Sequence, residues 1–358
     1  MRFMDEASIN KARKLARRLI DPARATIAIP AERSMKGYWF GGGSMAQGPD
    51  GRLYLSGRYR SAGDSRTGLD LGDRGRELAI FASDNDATSW TKVTSLDKSA
   101  VAPDGEQALS IEGSALRFTD KGVELFVSSE KPLAYPAPVT AFQKPGTGVW
   151  SIDRLWAPDI GSLHKARART ILSTMRPEIL HIKDPFLAAR ADGGSYLFFC
   201  HHPYCWSSSG TGYLVLGSDG EPIGNPVYDC YPRGPAWDVA ITRATCTLPL
   251  PDDIGPAGSG LVFYDGGECL RNLDEHAQAK TRPRGYSCEE LGGLGYYMDK
   301  DPTSFRRISD VFPEFISPDG SGCLRYVDVL ETADAYIATW QQSRPDGSQP
   351  LMINRVKK

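Results

Sequence analysis

The sequence lacks several features that would assign it to a familiar class. No apolar run approaches the 18 or so residues of a membrane-spanning helix. Lys plus Arg (42) and Asp plus Glu (44) nearly balance without a basic stripe, so neither a membrane nor a nucleic acid is an expected partner. The seven cysteines are scattered without a CxxC pair, which indicates reduced thiols rather than a disulfide framework.

The N-terminal segment has acidic residues early and no apolar signal-peptide core, so we expect a cytoplasmic protein. Apolar residues recur there at helical spacing between lysines and arginines, at Ile9, Ala12, Leu15, Ala16, Leu19 and Ile20. This pattern predicts a surface helix that packs one face on the domain, and a basic helix lying on a membrane is the less favoured interpretation. We therefore divide the chain into a helical extension, 1–24, and one main domain, 25–358.

In the main domain, alternating strand patterns predominate, together with many of the chain's 37 glycines and 25 prolines. A hairpin unit recurs five times, beginning at Ser44, Glu112, Lys183, Asp238 and Arg325. A second pair of candidate strands follows each hairpin except the last, after which only QPLMINRVKK remains. Two hairpins per unit predict an all-β fold, a five-bladed β-propeller, and a β-sandwich with a small second domain is the alternative.

Two further segments fit the propeller. ATIAIPA, 25–31, alternates like a strand and is predicted to supply the missing outer strand of the fifth blade, which would close the ring without exposed edges. SDNDATSW, 83–90, resembles the Asp-box turn of sialidases and related propellers, and DKDPTSFRRIS, 299–309, looks like the same outer hairpin in the fourth blade.

The innermost strand of each blade lines the central channel, so the starts of these strands should converge on one face. They hold Ser44, Glu112, Asp184, Asp238 and Arg325. Three carboxylates from consecutive blades would raise one another's pKa and destabilise the fold, so their convergence suggests a function. Glycoside hydrolysis is chemistry that needs one protonated and one ionised carboxyl group. For Asp184 the alternative is an ordinary turn, because Asp-Pro is a common turn pair.

Other polar and aromatic residues at the same strand ends are predicted to bind the substrate: Arg58, His201, His202, Tyr264, Asp265, Arg325, Tyr326 and Trp340. Cys200 and Cys205 lie near the two histidines, but their spacing matches no zinc pattern, so no metal ligand is assigned. Two polar loops, 63–77 and 266–290, are expected to shape the pocket, and Glu289 and Glu290 at the end of the second loop are reserve acids.

The run IKDPFLAARADGGSYLFF, from Ile182, is similar to the "(R/K)DP…dG.YYL" blade start of the five-bladed propeller glycoside hydrolases. This broad group includes arabinanases, β-xylosidases, α-L-arabinofuranosidases, fructosidases and mannoside phosphorylases. The resemblance implies that Asp184 orients the sugar and adjusts the pKa of the acid. It also implies an acid on a neighbouring blade, which favours Glu112, and it leaves Asp238 as base or nucleophile.

The sequence departs from that group in two ways. Its first blade, GGSMAQGPDG, has no acid at the expected position, and its order of acids is Glu, Asp, Asp rather than Asp, Asp, Glu. The acid and base could therefore be exchanged. Some relatives hold a channel Ca²⁺ through histidine-bound water, but no matching residue is clear, so no cofactor is predicted.

We therefore expect a glycoside hydrolase that releases a terminal sugar from an oligosaccharide. The alternatives are a phosphorylase, a sialidase-like enzyme with Tyr326 as nucleophile, and a non-catalytic carbohydrate-binding propeller. A sialidase would need a sixth blade and three arginines facing one carboxylate. The sequence leaves open the sugar, the linkage, the stereochemical outcome and whether the chain forms a homo-oligomer.

Overall fold

The computed structural model describes residues 3–61, 73–103, 107–143, 147–203, 208–268 and 290–358. The described strands form five antiparallel sheets in chain order, which are the five blades of a β-propeller, and one helix precedes them. The predicted fold class is thereby confirmed.

The strand bounds define each blade. Blade I holds β2 (Trp39–Gly41), β3 (Met45–Gln47), β4 (Leu53–Ser61), β5 (Asp73–Ser83) and β6 (Thr91–Asp97). Blade II holds β7 (Ser110–Thr119), β8 (Gly122–Lys131), β9 (Val149–Ala157) and β10 (Arg169–Leu172). Blade III holds β11 (Leu180–Ala189), β12 (Ser195–His202), β13 (Gly210–Leu216) and β14 (Pro222–Tyr231).

Blade IV holds β15 (Ile241–Pro249), β16 (Gly260–Gly267), β17 (Leu291–Met298) and β18 (Asp301–Arg307). Blade V holds β19 (Leu324–Glu331), β20 (Ala335–Gln342), β21 (Leu351–Lys357) and, as its outer strand, β1 (Thr26–Ile29). Short 3₁₀ helices cover Thr140–Phe142, Ile160–Lys165 and Pro177–Ile179.

The ring closes as the sequence predicts. The N-terminal strand β1 pairs antiparallel with β21, with Thr26 opposite Ile353 and Ile27 opposite Met352. Both ends of the chain thus share one sheet, and the outer edge of β21 is covered by pairing rather than left open.

The helix α1 (Glu6–Leu19) begins at Asp5, whose carboxylate accepts the Ser8 N–H at 2.7 Å. Its apolar face, which includes Leu15 and Leu19, is buried in one cluster with core residues of blades IV and V. The predicted one-sided packing is confirmed. No helix among the described residues is long and apolar enough to cross a membrane.

The core is divided between the blade interfaces, and one large apolar cluster lies at each of them. For example, Ile111 and Ile80 meet between blades I and II, Leu197 and Phe126 between II and III, and Tyr231 and Val262 between III and IV. Trp340 and Phe263 share the cluster between IV and V, and Phe40 and Ile337 the one between V and I. Each blade is therefore held mainly by its two neighbours.

The outer hairpins also match the sequence. The Asp-box-like turn connects β5 to β6, where the Asn85 side-chain oxygen accepts the Ser89 N–H at 3.0 Å. Ala87, at the position that the motif gives to Gly, has a φ of 65°. The 299–309 segment forms the corresponding hairpin from β17 to β18.

All five inner strands carry an extra residue relative to their partners, at the point where they pass the channel. In blade II, Ile111 pairs with Ser129 and Ser114 with Val127, so three residue steps along β7 lie opposite two along β8. Blades III and V repeat this irregularity at 183–186 and 325–328, and blade IV has it at 244–246. In blade I the inner strand is interrupted between β2 and β3. Such bulges re-aim side chains, here into the channel.

A backbone N–H at or beside each bulge is hydrogen-bonded by the preceding blade. Asp184 N–H donates to Ser128 Oγ at 3.1 Å, Ala244 N–H to Thr211 Oγ1 at 3.0 Å and Tyr326 N–H to Asp265 Oδ1 at 3.0 Å. The Ser114 N–H donates to the Gly42 carbonyl at 2.8 Å. The circle is completed by the Met45 N–H, which donates to Asp328 Oδ2 of blade V at 2.6 Å.

The docking of α1 is testable through Leu19, which is fully buried. Replacing Leu19 by Ala should lower the free energy of unfolding by about 2–5 kcal/mol, since it leaves a cavity in a packed core. Denaturant unfolding measures this change. The exposed Lys14→Ala, on the same helix, is the matched control and should change stability by less than about 0.5 kcal/mol. Equal effects of the two substitutions would show that the helix does not pack as described.

Candidate active site

The inner-strand bulges of blades II, III and V bring Glu112, Asp184 and Tyr326 to the channel. Asp184 and Tyr326 adopt left-handed backbone angles, with φ of 51° and 53°. For a non-glycine residue the left-handed conformation costs about 1–3 kcal/mol, and such strain is concentrated at functional sites. The residue after Glu112 is a glycine, Gly113, because a Cβ added there would lie 2.7 Å from Asp184 Cα.

Glu112 is a buried carboxylate with two kinds of donor. Ser110 Oγ donates to its Oε1 at 2.8 Å, and Arg58 Nη2 donates to its Oε2 at 3.3 Å. Burial raises the pKa of Glu112, but the positive charges of Arg58, Lys183 and Arg60 outweigh it and bring the pKa to about 2. Glu112 is therefore held ionised at any ordinary pH.

Asp184 lies directly beside Glu112. Its Oδ1 accepts the N–H of Gly113 at 3.1 Å, and its Oδ2 accepts the Cys200 thiol at 3.5 Å. Burial, followed by the charge of Asp184, raises the pKa of Cys200 to about 12. Cys200 is therefore a protonated thiol that can donate this hydrogen bond. Asp184 is thus fixed on both oxygens, and it lines a small cavity with Arg243, Asp265 and Tyr326.

Glu290 is shared by two arginines from the inner strands of blades IV and V. Arg243 Nη1 donates to its Oε1 at 2.6 Å, and Arg325 Nη1 pairs with its Oε2. Burial raises the pKa of Glu290, but Arg325 and Arg243 outweigh it and bring the pKa to about 2. One carboxylate thus holds two buried guanidinium groups in place.

Two aromatic rings join the arginines of blades I and V. Arg325 lies 4.1 Å and Arg58 5.4 Å from the centroid of the Trp39 ring. The same two guanidinium groups lie 5.1 Å and 5.3 Å from the Tyr326 ring, and Arg58 Nη2 also donates to the Tyr326 hydroxyl at 3.3 Å. This stacking connects the Glu112 and Glu290 ends of the site.

Asp265, on β16, is a carboxyl group whose surroundings raise its pKa, whereas those of Glu112 and Glu290 lower theirs. It is buried, and it accepts the Tyr326 N–H. Burial, followed by the negative charge of Glu290, raises the pKa of Asp265 well above its usual range. The site therefore contains carboxyl groups whose surroundings separate their pKa values in opposite directions, a pattern typical of acid and base pairs.

Six predicted site residues thus come together: Arg58, Glu112, Asp184, Asp265, Arg325 and Tyr326. Other predicted residues do not. The Asp238 carboxylate accepts the Tyr264 hydroxyl at 3.0 Å and Arg307 Nε at 2.8 Å, within its own blade. The predicted convergence of Asp238 with Glu112 and Asp184 is wrong, because β15 begins only at Ile241 and its bulge lies at 244–246.

Tyr264 is likewise enclosed within blade IV, between Trp237 and Phe305, and does not face the channel. Trp340 is fully buried in the core beneath α1, so it cannot stack on a sugar. His201 is buried against Tyr228 and Asp229 of the outer strand β14 and is not a ligand contact. The predictions for these three residues are wrong because strand alternation does not tell which face is the channel.

His202 points to the other side of β12. It is buried, its Nδ1 lies 2.9 Å from the Ser208 carbonyl, and its ring lies 6.1 Å from that of His181. Burial, followed by the nearby charges of Lys183 and Arg243, lowers the pKa of His202 well below 6.5, so the ring is neutral. Substrate contact by His202 stays a prediction.

No sequence pattern marks Arg243, Trp39, Lys183 or Cys200 as site residues, and Glu290 was predicted only as a reserve acid. Trp39 precedes the five recognised units, while Glu290 follows a long polar segment, so neither has a repeat to mark it. Of the two loops predicted to shape the pocket, 63–72 and 269–289 lie outside the described residues. No group of three or more His, Cys, Asp or Glu among the described positions could hold a metal ion.

The pH dependence of folding tests the role of Glu290. Because its pKa is lowered on folding, ionised Glu290 stabilises the fold above about pH 4.5, and this stability disappears as the pH falls towards 2. Glu290→Gln should lower the free energy of unfolding at pH 7 by about 3 kcal/mol, and the difference from wild type should shrink at pH 3. Denaturant titrations at both values measure it.

Glu314 offers a matched control. It is also shared by two arginines, Arg13 at 3.1 Å and Arg17 at 2.6 Å, but those arginines lie on the surface helix, with side chains 31% and 64% exposed. The Glu314 side chain is itself only 4% exposed, but its two partners stay solvated, so Glu314→Gln should cost less than Glu290→Gln. A Glu290→Gln effect that is no larger, or that does not change with pH, would contradict the burial argument.

No protein-family model matches the sequence, and no curated protein matches it. Solved structures do match. An α-L-arabinofuranosidase from Lactobacillus brevis is 12% identical with a TM-score of 0.58, over 94% of this chain and 92% of that one. A thermostable family-43 glycoside hydrolase is 13% identical with a TM-score of 0.55, over 89% of each chain. A Bacillus subtilis arabinanase is 13% identical with a TM-score of 0.51, over 91% and 95%. The chain thus shares the five-bladed propeller fold of these glycoside hydrolases.

Proposed function

We propose that the protein hydrolyses glycosidic bonds at the channel site, with Glu112 as the ionised carboxylate and Asp265 as the protonated carboxyl group. The proposal rests on the opposite directions in which the surroundings shift the pKa values of these two acids. Arginine and lysine charges lower the pKa of Glu112 to about 2, whereas burial and Glu290 raise that of Asp265. The shared fold with glycoside hydrolases supports the same reaction class.

In this reaction Glu112 activates a water molecule or attacks the anomeric carbon, and Asp265 protonates the leaving oxygen. Asp184 connects the two groups. It accepts the N–H of Gly113, next to Glu112, and lines the same cavity as Asp265, so it positions the sugar between them. Trp39 and Tyr326 supply aromatic rings, and the arginines supply donors for hydroxyl groups.

We propose exo action on a terminal sugar, as the sequence also suggested. The key side chains are deeply set, with Arg58 4%, Glu112 7% and Glu290 5% exposed. Such burial favours a blind pocket that admits one chain end over an open cleft that admits a polymer. The sialidase-like alternative loses support because the described strands form five blades rather than six.

Conservative substitutions test the assignment. Glu112→Gln and Asp265→Asn should each lower kcat by about 10²- to 10⁴-fold, because each removes one proton-transferring or nucleophilic group. Asn at 265 keeps an oxygen that can accept the Tyr326 N–H, so the fold should be retained. Circular dichroism and unfolding curves check this. Asp238→Asn and Glu314→Gln are the controls and should keep activity within a few-fold.

The dependence of the rate on the leaving group distinguishes a catalytic acid from a structural residue. If Asp265 donates the proton, Asp265→Asn should slow aryl glycosides with poor leaving groups far more than activated ones such as dinitrophenyl glycosides, which depart without protonation. The alkaline limb of the pH–rate profile should also disappear. Equal slowing of both substrates, or an unchanged profile, would remove Asp265 from the acid role, and full activity of Glu112→Gln would refute the proposal as a whole.

A further inference from the structure

The thiol of Cys200 is a buried polar group that points at the channel carboxylate of Asp184. Cys200 lies on β12, the second strand of blade III, and is 1% exposed. It stands opposite Lys183, at the edge of the inner-strand bulge. Phe198, two residues earlier on the same face of β12, packs in the apolar cluster between blades III and IV. An aliphatic side chain would suit such an interior, whereas the thiol adds a hydrogen-bond donor to it.

Asp184 needs such donors because its backbone is held in a strained conformation, with a φ of 51°. Blade II supplies two contacts. The Asp184 N–H donates to Ser128 Oγ at 3.1 Å, and its Oδ1 accepts the Gly113 N–H, also at 3.1 Å. Cys200 Sγ supplies a third contact, from blade III itself, by donating to Oδ2 at 3.5 Å. With one donor on each oxygen, the plane of the carboxylate is fixed as well as its position.

The chemistry of the thiol suits this role. Burial, followed by the charge of Asp184, raises the pKa of Cys200 to about 12, so the group facing the carboxylate is a neutral donor rather than a thiolate that would repel it. Each carboxylate oxygen has two acceptor sites. One protein donor on each oxygen therefore leaves an acceptor site on both for a hydroxyl group of the substrate. Asp184 is only partly buried, so its carboxylate is accessible for that contact.

We propose that Cys200 is a positioning residue of the channel site, whose thiol holds the Asp184 carboxylate in the orientation in which it receives the substrate. Cys200 itself is buried, so it neither touches the substrate nor transfers a proton. This inference rests on the proposed function for its reaction. The contact between the thiol and the carboxylate can nevertheless be measured without any turnover.

Infrared spectroscopy of the intact protein tests the contact, because the S–H stretching band moves to lower wavenumber when the thiol donates to a stronger acceptor. The difference spectrum between wild type and Cys200→Ser isolates the Cys200 band from those of the other cysteines. The same difference is then recorded in Asp184→Asn, whose side chain also tolerates the left-handed backbone. The band should move to higher wavenumber there, since a neutral amide is a weaker acceptor than a carboxylate. A band that stays in place would overturn the inference.

Cys230 is the matched control within the same blade. Its thiol donates to the Thr211 carbonyl at 3.3 Å and not to a carboxylate. The Cys230 band, isolated in the same way with Cys230→Ser, should be unchanged by Asp184→Asn. Equal movement of both bands would assign the change to a general rearrangement of blade III and reject the specific contact.

Kinetics with an aryl glycoside test the positioning role. Cys200→Ala and Cys200→Ser both shorten the side chain, but only Ser keeps a donor. Cys200→Ala should lower kcat about 3- to 10-fold, the share of one ordinary hydrogen bond, and Cys200→Ser should recover most of that loss. Cys230→Ala should leave kcat unchanged. A purely structural residue would lower Tm in both Cys200 variants and leave kcat intact, so an unchanged kcat in Cys200→Ala, or an equal loss in both variants, would reject the positioning role.

The two measurements separate this inference from the proposed function. If the wild type cleaves glycosides but the Cys200 band does not respond to Asp184→Asn, the proposed function stands and the inference fails. If the wild type cleaves no glycoside, the proposed function fails. The movement of the band then still supports the hold of Cys200 on Asp184, and its absence rejects it.

Discussion

The ring of hydrogen bonds between neighbouring blades is the constraint on which the rest of this structure depends. Each inner strand contains an extra residue, and a backbone N–H at or next to that point is accepted by the blade before it. A buried N–H without a partner would cost about 1–3 kcal/mol. Five bulges can therefore persist only when all five blades are in register, and the β1–β21 closure enforces that register. The channel site thus depends on residues at both ends of the chain.

One of these acceptors has two roles. Three of the five bonds end on neutral acceptors, the Ser128 and Thr211 hydroxyls and the Gly42 carbonyl, whereas Asp265 of blade IV and Asp328 of blade V use carboxyl groups. A hydroxyl group would satisfy the Tyr326 N–H equally well. Burial, followed by the charge of Glu290, raises the pKa of Asp265, so this position adds a protonatable group that the fold itself does not require.

The sequence is sufficient to predict the blades but only part of the site. The five hairpins, the outer-strand closure and the N-terminal helix follow from local periodicity, which is what strand pairing and one-sided packing depend on. Glu112 and Asp184 follow because each sits at the bulge of a well-marked repeat. Asp238 does not, because its unit has six residues more before the bulge, and this places the carboxylate against Arg307 instead of in the channel.

The errors at Trp340 and His201 have a related cause. A strand buried on both faces has no polar side to mark the channel, so every residue of β20 is buried and alternation gives no orientation. Glu290 illustrates the opposite difficulty. Its function depends on Arg243 and Arg325, which are 47 and 35 residues away in the sequence, and no local pattern shows that the three will meet.

The first blade brings an arginine, Arg58, to the channel and thereby sets part of the charge of the site. Here the inner strand is interrupted by glycines, and a Cβ on Gly42 would lie 1.8 Å from Arg58 Nη1. Gly42 also has a φ of 69°, so the position excludes other side chains both sterically and conformationally. The Arg58 guanidinium group fills the space beside Gly42 and, against the effect of burial, lowers the pKa of Glu112 on the next blade. The glycine backbone of blade I thus makes room for a buried cation beside Glu112, and that cation helps to keep the carboxylate ionised.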